Sequence, residues 1–324
     1  MITSIGRRQL GTLAGLAGLC ALLTVLTPHF LTVSNLLNIT EQTTINAVIA
    51  VGMTFVILSG GIDLSVGSLV ALSGIVLGSA LQLHLPLPVA ILLGLLTGAA
   101  CGLVNGVLIT RGRLPPFIAT LGMMSMARGA ALLYTDGRPI SGFEEGFRVL
   151  STGRPLMIPS PVLLMAGVYL AAHFVLTRTI FGRYVYAIGG NEEATRLSGV
   201  RVGYYKTQVY VLSGVTSAVA AVTLTARLNS AQPIAGIMYE LDAIAATVIG
   251  GTSLMGGSGT LVGTLIGALI MGVLRNGLNL IGISSFLQQV VIGAVIIAAV
   301  LLDSTLSARA ASARAKRTAA NAAA

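Results

Sequence analysis

The stretch GLLTGAACGLVNG, residues 94–106, places glycine at every fourth position inside an apolar run, at Gly94, Gly98, Gly102 and Gly106. In a soluble helix this would be a weakness, because each interior glycine costs about 1 kcal/mol relative to alanine. In lipid the same spacing draws a groove of small residues down one helix face, and a second backbone can approach it closely. Gly259, Gly263 and Gly267 repeat the device further along the chain. The pattern predicts membrane helices packed backbone to backbone rather than a soluble bundle.

The composition agrees. Of 324 residues, 55% are apolar, 9% are charged and none is tryptophan. A soluble domain carries roughly 25% charged residues to cover its wet surface. Apolar runs of about 20 residues, long enough to cross a hydrocarbon core of roughly 30 Å, recur from Leu13 to Leu302. Lipid offers backbone groups no hydrogen-bond partner, so these runs are expected to be helices. The alternating pattern of a membrane barrel is absent. The runs centre near Leu19, Gly52, Leu72, Gly98, Met124, Val168, Thr216, Ile249, Ile270 and Val295. The expected fold is an all-α polytopic membrane protein with about ten transmembrane helices.

A net charge of +9 suggests nucleic acid at first sight, but the basic residues lie between apolar runs and form no single patch. Ten crossings put Arg7, Arg8, Arg111, Arg113, Arg178, Arg183, Arg196, Arg201, Lys206, Arg309, Arg314, Lys316 and Arg317 on one side. Arg138, Arg148, Arg154 and Arg227 fall on the other. Basic loops stay in the cytoplasm, so both termini are expected inside. Arg128 and Arg275, within or near apolar spans, either face the bundle interior or snorkel to the interface. One transmembrane domain, residues 1–308, is expected to precede a basic, alanine-rich, disordered tail at residues 309–324.

Arg7 and Arg8 before an apolar stretch have the look of a secretory signal, and LAGLC at residues 16–20 hints at a lipoprotein cleavage site. Bulky Leu19 stands where a small residue is wanted, so the stretch reads as a retained first helix. Cys20 and Cys101 lie in apolar runs and His29, His84 and His173 are scattered, so no metal site is expected.

GGIDLSVGS at residues 60–68 has a counterpart in GGTSLMGGS at residues 250–258, both of the form G-G-x-x-L-x-x-G-S. Each interrupts an apolar stretch near the predicted cytoplasmic side, as broken helices do in transporters built from pseudo-repeated halves. Asp63 fits either a transport pathway or a cap on the following helix with Ser65 nearby. Ser253, at the equivalent place in the second copy, is also a capping residue and favours the structural role.

The longest charged stretch on the predicted cytoplasmic side runs from about 182 to 206, with GGNEEATRLSGV at residues 189–200 in its centre. Asn191 can cap a helix, and Glu192 and Glu193 in the first turn complement its dipole. Gly199 can end it in a left-handed conformation. A connector has no need of a short polar helix stopped at both ends, whereas a docking surface for a soluble partner has.

At this point the chain resembles the sugar-type permeases of ATP-binding-cassette importers. GRYVYAIGGNEEATRLSGV is similar to their coupling loop, and GMTFVILSGGIDLSVGSLVALSG to their second and third helices. YELDAIAATVIGGTSLMGGSGTLVGTLIGALIMGVLRNGLNLIGIS is similar to their last helices, and SAQPIAGIMYELDAIAA and FIATLGMMSMARGAALLYTDGRPI fit as well. The likeness runs from about Leu31 to Asp303 and is nearest to the ribose permeases.

The resemblance implies a type II importer-like subunit of the bacterial cytoplasmic (inner) membrane, usually working as a homodimer. It implies two further partners, a cytoplasmic sugar-importer ATPase and a periplasmic sugar-binding protein. Carried over by position, Gly189, Gly190, Asn191, Glu192, Ala194, Thr195, Arg196 and Gly199 match the loop that meets the ATPase. Ribose comes first as the cargo, with other monosaccharides, sugar alcohols or nucleosides behind it.

The residues themselves fit this division of labour. Neither Lys206 nor Lys316 follows glycine as a phosphate-binding loop requires, so ATP is expected on the partner and no cofactor here. No catalytic constellation is recognisable. The segment from Tyr134 to Pro161, with Asp136, Arg138, Glu144, Glu145, Arg148 and Arg154, reads as a periplasmic landing surface or an ordinary solvated loop. Asn105, Thr120, Asn276 and Gln288 are candidates for a sugar pathway, with Asn46, Asn279 and Gln289 also near the spans; all could equally bond other helices. An ion-coupled secondary carrier is the rival reading, with Asp63 and Asp242 as its acids, and both read as lying near helix ends. A membrane enzyme or a scaffold is a more distant one.

Overall fold

A computed structural model describes residues 2–301 and 305. The end of the expected domain at 308 and the tail at 309–324 lie outside the described residues. The chain runs through α1 (Ile2–Leu26), α2 (Val33–Leu58), α3 (Val66–Gln82), α4 (Leu87–Thr110) and α5 (Pro116–Thr135). A two-residue strand β1 (Ile140–Ser141), α6 (Glu145–Thr152) and a 3-10 turn at Pro155–Met157 lead to α7 (Ser160–Arg178). Then come α8 (Ile180–Gly190), α9 (Glu192–Leu197), α10 (Val202–Leu228), β2 (Ser230–Ala231), α11 (Tyr239–Ile249), α12 (Leu261–Leu280) and α13 (Ser285–Leu301).

Local chemistry sets the boundaries. Thr32 and Thr260 cap α2 and α12 by accepting from the backbone N–H of Asn35 and Gly263. Proline opens α4, α5 and α7, where its missing N–H has no helical acceptor to lose. Asp136 and Asn229 close α5 and α10 in the left-handed conformation.

Among the described residues seven helices are long and apolar enough to cross a membrane: α1 from Gln9 onward, α2, α4, α5, α7, α10 and α12. The three remaining sequence-derived centres also fall on helices, but on shorter ones. α3 and α13 are apolar and below that length, and α11 has 11 residues and ends at Ile249. The fold is therefore a polytopic helical membrane protein in which the glycine turns at 60–61 and 250–251 cut helices short.

α2 and α10 form the centre, with 83% and 78% of their apolar windows buried, whereas α1 has 6% and α4, α5 and α7 lie between. Leu92 and Leu96 of α4 and Leu170 and Phe174 of α7 point outward, as lipid-facing side chains do. The α4 ladder is a contact seam, as expected, and so are Gly263 and Gly267 of the second, whose Gly259 instead precedes α12 and packs against the Thr252 side chain. A Cβ on Gly98, Gly102 or Gly106 would stand within 3.0 Å of the α10 backbone at Gly214, Tyr210 or Thr207, and one on Gly214 would strike Gly98 in return. On α12, Gly263 and Gly267 face the backbone of Gly250 and Ala246 at the end of α11.

β1 pairs antiparallel with β2, Ile140 against Ala231 and Ser141 against Ser230. This ties the 134–161 segment to the end of α10. Phe147 of α6 packs edge-on against Phe143, with ring centroids 5.4 Å apart, over buried Ala131 and Ala226.

The ladder makes a direct prediction. Overpacking a tight seam costs about 1–3 kcal/mol, so Gly102→Ala is expected to lower the thermal midpoint of the detergent-solubilised protein. Gly129→Ala on α5, where nothing lies within 4 Å of the added methyl, is expected to leave it unchanged or raise it. Equal midpoints for the two variants would contradict the seam.

Candidate functional site

The 182–206 segment folds as two short helices and the start of α10. Thr179 caps α8 by accepting from Gly182 N at 3.3 Å. Asn191 ends α8 in an extended conformation and begins α9, its Oδ1 accepting from Ala194 N at 2.9 Å. Thr195 donates through Oγ1 to the Asn191 carbonyl at 2.7 Å and is the buried member of the helix. Glu192, Glu193, Ala194 and Arg196 are exposed, and so is Leu197 at 79%. Arg196 pairs with Glu193, and Lys206 Nζ donates to Glu192 at 2.9 Å, which moors α9 to α10. Gly199 has φ +83, the left-handed stop the sequence calls for. α9 is thus a capped, charged helix with one large apolar side chain presented outward.

Its other mooring is made of glycine. A Cβ on Gly189, in the last turn of α8, would collide with the Leu58 carbonyl and the Gly257 N–H, which are hydrogen-bonded to each other at 3.0 Å. Gly256 and Gly257 lie at φ +85 and +70 against Gly189 and Gly190. Tyr186 donates from its hydroxyl to the Gly259 carbonyl at 2.8 Å. The loop therefore touches the turn after α2 and the turn after α11 at one point, where both copies of the glycine motif meet it. Sequence reasoning found the three segments and missed their meeting. The shared signal was the Gly-Gly pair in each.

The motif copies build the same local turn. Asp63 Oδ1 accepts from Ser65 N at 2.9 Å, and Ser253 Oγ accepts from Met255 N at 3.3 Å, two residues on in both cases. They diverge afterwards, α3 resuming at Val66 and α12 only at Leu261. Asp63 is fully buried and also accepts from Ser65 Oγ at 2.6 Å and Ser213 Oγ at 2.8 Å. Its role here is to join the start of α3 to α10.

The four sequence-named pathway residues are buried and bonded within the protein. Asn105 donates to Ser65 Oγ at 3.0 Å, and Thr120 donates to the Pro116 carbonyl at 2.9 Å. Asn276 and Asn35 exchange amide hydrogen bonds at 2.8 and 3.0 Å, linking α12 to α2. Gln288 donates to Asn279 Oδ1 at 2.7 Å and to the Ile283 carbonyl at 2.8 Å. Asn105 and Thr120 both reach the 62–65 turn, Thr120 also donating to the Ile62 carbonyl at 3.3 Å, while Asn276 and Gln288 lie in other seams.

The two intramembrane arginines also find partners. Arg128 donates to the carbonyls of Pro233 and Ala235 at 2.6 and 2.7 Å. Arg275 of α12 reaches both oxygens of Asp242 on α11 at 2.7 and 2.6 Å, and Asn46 of α2 donates to the same carboxylate at 3.1 Å. No group of three or more metal-ligating side chains occurs among the described residues.

The family described as "Branched-chain amino acid transport system / permease component" matches residues 35–300. The chain belongs to that permease family. It is similar to the ribose import permease RbsC of Escherichia coli K12, 52% identical over 288 residues covering 88% of this chain and 90% of the relative. The Bacillus subtilis ribose import permease is 51% identical over 290 residues, 89% and 90% of the two chains. The D-allose permease AlsC of Escherichia coli K12 is 40% identical over 287 residues, 88% of each. No solved structure matches the chain. This permease is a multi-pass transport component of the cytoplasmic membrane and not a catalytic subunit.

Asp242 is buried and Arg275 is 37% exposed, so removing the arginine leaves a buried carboxylate uncompensated, while solvent screens the arginine's own charge. Arg275→Ala alone is therefore expected to lower the thermal midpoint more than the double variant Asp242→Ala/Arg275→Ala. A double variant at least as unstable as the sum of its singles would show that the pair carries no such coupling.

Proposed function

We propose that this permease is the membrane-spanning subunit of an ATP-driven importer whose cargo is ribose, delivered by a periplasmic binding protein. The observation that carries the reading is α9: a helix of six residues, capped by Asn191 and displaying Glu192, Glu193, Arg196 and Leu197, is built for a protein partner. The partner is a cytoplasmic sugar-importer ATPase that binds ATP on the permease's behalf. Gly189, Gly190, Asn191, Glu192, Ala194, Thr195, Arg196 and Gly199 form or brace the contact. The similarity to two ribose import permeases favours ribose over other monosaccharides, sugar alcohols or nucleosides.

The remaining architecture follows the same reading. A second copy completes the pathway, the chain crosses the bilayer about ten times with both termini inside, and α2–α3 and α11–α12 are the equivalent parts of two pseudo-repeated halves. The matching turns at Asp63 and Ser253 support that equivalence. The 134–161 segment, held by β1 and by Phe147, is the landing surface for the binding protein. Asn105, Thr120, Asn276 and Gln288 hold the helices that frame the pathway. ATP-driven closure of the ATPase dimer shifts the population between inward- and outward-open bundles through differential contacts at α9.

The test is ATP hydrolysis in proteoliposomes holding the permease, its co-purifying ATPase and the binding protein. Ribose-loaded binding protein is expected to stimulate hydrolysis, and Glu192→Ala/Arg196→Ala to abolish the stimulation. Gly189→Ala, which forces α8 away from the Leu58 carbonyl, is expected to uncouple hydrolysis from uptake while the ATPase stays bound. Uptake that follows an ion gradient, with no ATPase co-purifying, would overturn the reading in favour of a secondary carrier.

A further inference from the structure

Large apolar side chains dominate the outward faces of this bundle, and a row of amides along α2 stands out against them. Along α2, Asn38, Gln42 and Asn46 recur every fourth residue and so lie on one side of the helix. Asn38 is exposed, and Gln42 and Asn46 are half-buried. Gln42 donates to Asn38 Oδ1 at 2.8 Å. Asn46 stands midway along α2 and donates to Asp242 of α11, which Arg275 of α12 also holds. One turn beyond Arg275, Asn279 is exposed. Three helices therefore bring amides, a carboxylate and a guanidinium to a single face.

Lipid is a poor neighbour for this face. The Arg275 side chain is 37% exposed, and an arginine at bilayer depth faces the bundle interior or a watery cavity. A dry seam with another helix fits no better. The polar seams of this bundle bury and pair their amides, as Asn35 and Asn276 do, whereas Asn38 and Asn279 are exposed and Asn46 Oδ1 has no protein partner. Exposed Asn38 and Asn279 and the part-exposed Arg275 offer their polar atoms to water or a hydroxylated solute.

The chemistry of the face selects the solute. Asp242 is neutralised by Arg275, so no uncompensated charge attracts an ion. What remains are amide donors and acceptors, which suit neutral hydroxyls. Their spacing along α2 is four residues, about 6 Å of rise, so a solute the size of a monosaccharide reaches one amide before leaving the last. Several weak sites in series allow entry without trapping.

We propose that Asn38, Gln42, Asn46, Asp242, Arg275 and Asn279 form this chain's wall of the translocation pathway and take a neutral polyhydroxylated solute. The assignment rests on the importer reading above, and its test separates the two. In a Cys20→Ala/Cys101→Ala background, single cysteines at positions 38, 42 and 279 are treated with a membrane-impermeant methanethiosulfonate reagent in sealed and permeabilised vesicles. Cysteines at lipid-facing Leu96 and Leu170 serve as controls. The thiolate is the nucleophile and does not form in lipid, so the pathway positions are expected to react at least about tenfold faster than the controls.

In parallel, Gln42→Leu and Asn46→Leu permeases are assayed for ribose uptake at equal membrane abundance. Gln42 bonds only within its own helix among the described contacts, so its variant is expected to fold even where the Asn46 variant does not. Lost hydrogen bonds to solute are expected to slow uptake by about tenfold. Pathway cysteines as inert as the controls, or a Gln42→Leu permease that transports at the unmodified rate, would overturn the assignment while the importer reading stands. Failure of the unmodified permease to take up ribose with its ATPase would instead strike the importer reading, and the cysteine reactivity would still decide whether the face is wet.

Discussion

Close approach of helix backbones, made possible by glycine, is the constraint on which this structure depends. Two apolar helices in lipid gain nothing from hiding hydrophobic surface, since the lipid tails are equally apolar, and their association relies on packing and hydrogen bonds. α4 presents three glycines to α10, and Gly214 answers Gly98, so neither helix can carry a side chain at the crossing. That crossing fixes α10 in the centre. α2 and α3 then pack against α10, and the peripheral helices against them. Dispersion falls away steeply with even a small gap, so one methyl at these points would weaken a whole interface rather than one contact.

Polar bonds supply register on top of this packing. Asn35 with Asn276, and Thr54 with Thr264, join α2 to α12 near both ends, and Asp63 joins the start of α3 to α10. Hydrogen bonds between membrane helices contribute about 0.6 kcal/mol on average, less than a tight seam loses on overpacking. They define which residues face each other more than they hold the helices together. The Asp242–Arg275 pair differs, since the buried carboxylate would be costly alone.

What was legible in the sequence follows from this order of effects. Apolar runs and glycine spacing are local, so the helical membrane fold and the α4 ladder could be read directly. The caps of α9 were legible too, because Asn191, Glu192 and Gly199 act on their own backbone. Seams between distant segments were not. Nothing in the run around Asn276 names Asn35 as its partner, and Arg275 gives no hint of Asp242 until α11 and α12 are laid side by side. The candidates chosen for polarity also make bonds within the protein, Asn276 to Asn35 and Gln288 to Asn279, and those partners lie too far off in sequence or in an unrelated run to be read locally. α3 and α11, with 17 and 11 residues, are short because the glycine turns that the sequence marks as interruptions of the apolar runs stand at their ends.

The position of the glycine knot links α9 to the helices of the polar face. α9 is too short and too exposed to act on the bundle by itself. A push on it reaches the core through Lys206 at the head of α10 and through Gly189. The second contact bears on the Leu58 carbonyl, which ends α2, and on Gly257, in the turn between α11 and α12. These are the helices that carry Asn46, Asp242 and Arg275. In the importer reading, a displacement at Gly189 is expected to change the tilt of α2 against α11 and α12, and with it the distance across which Asn46 and Arg275 share one carboxylate. In the proposed importer, the partner's stroke arrives at the three helices whose mutual spacing sets the width and polarity of the pathway, with no long relay between them.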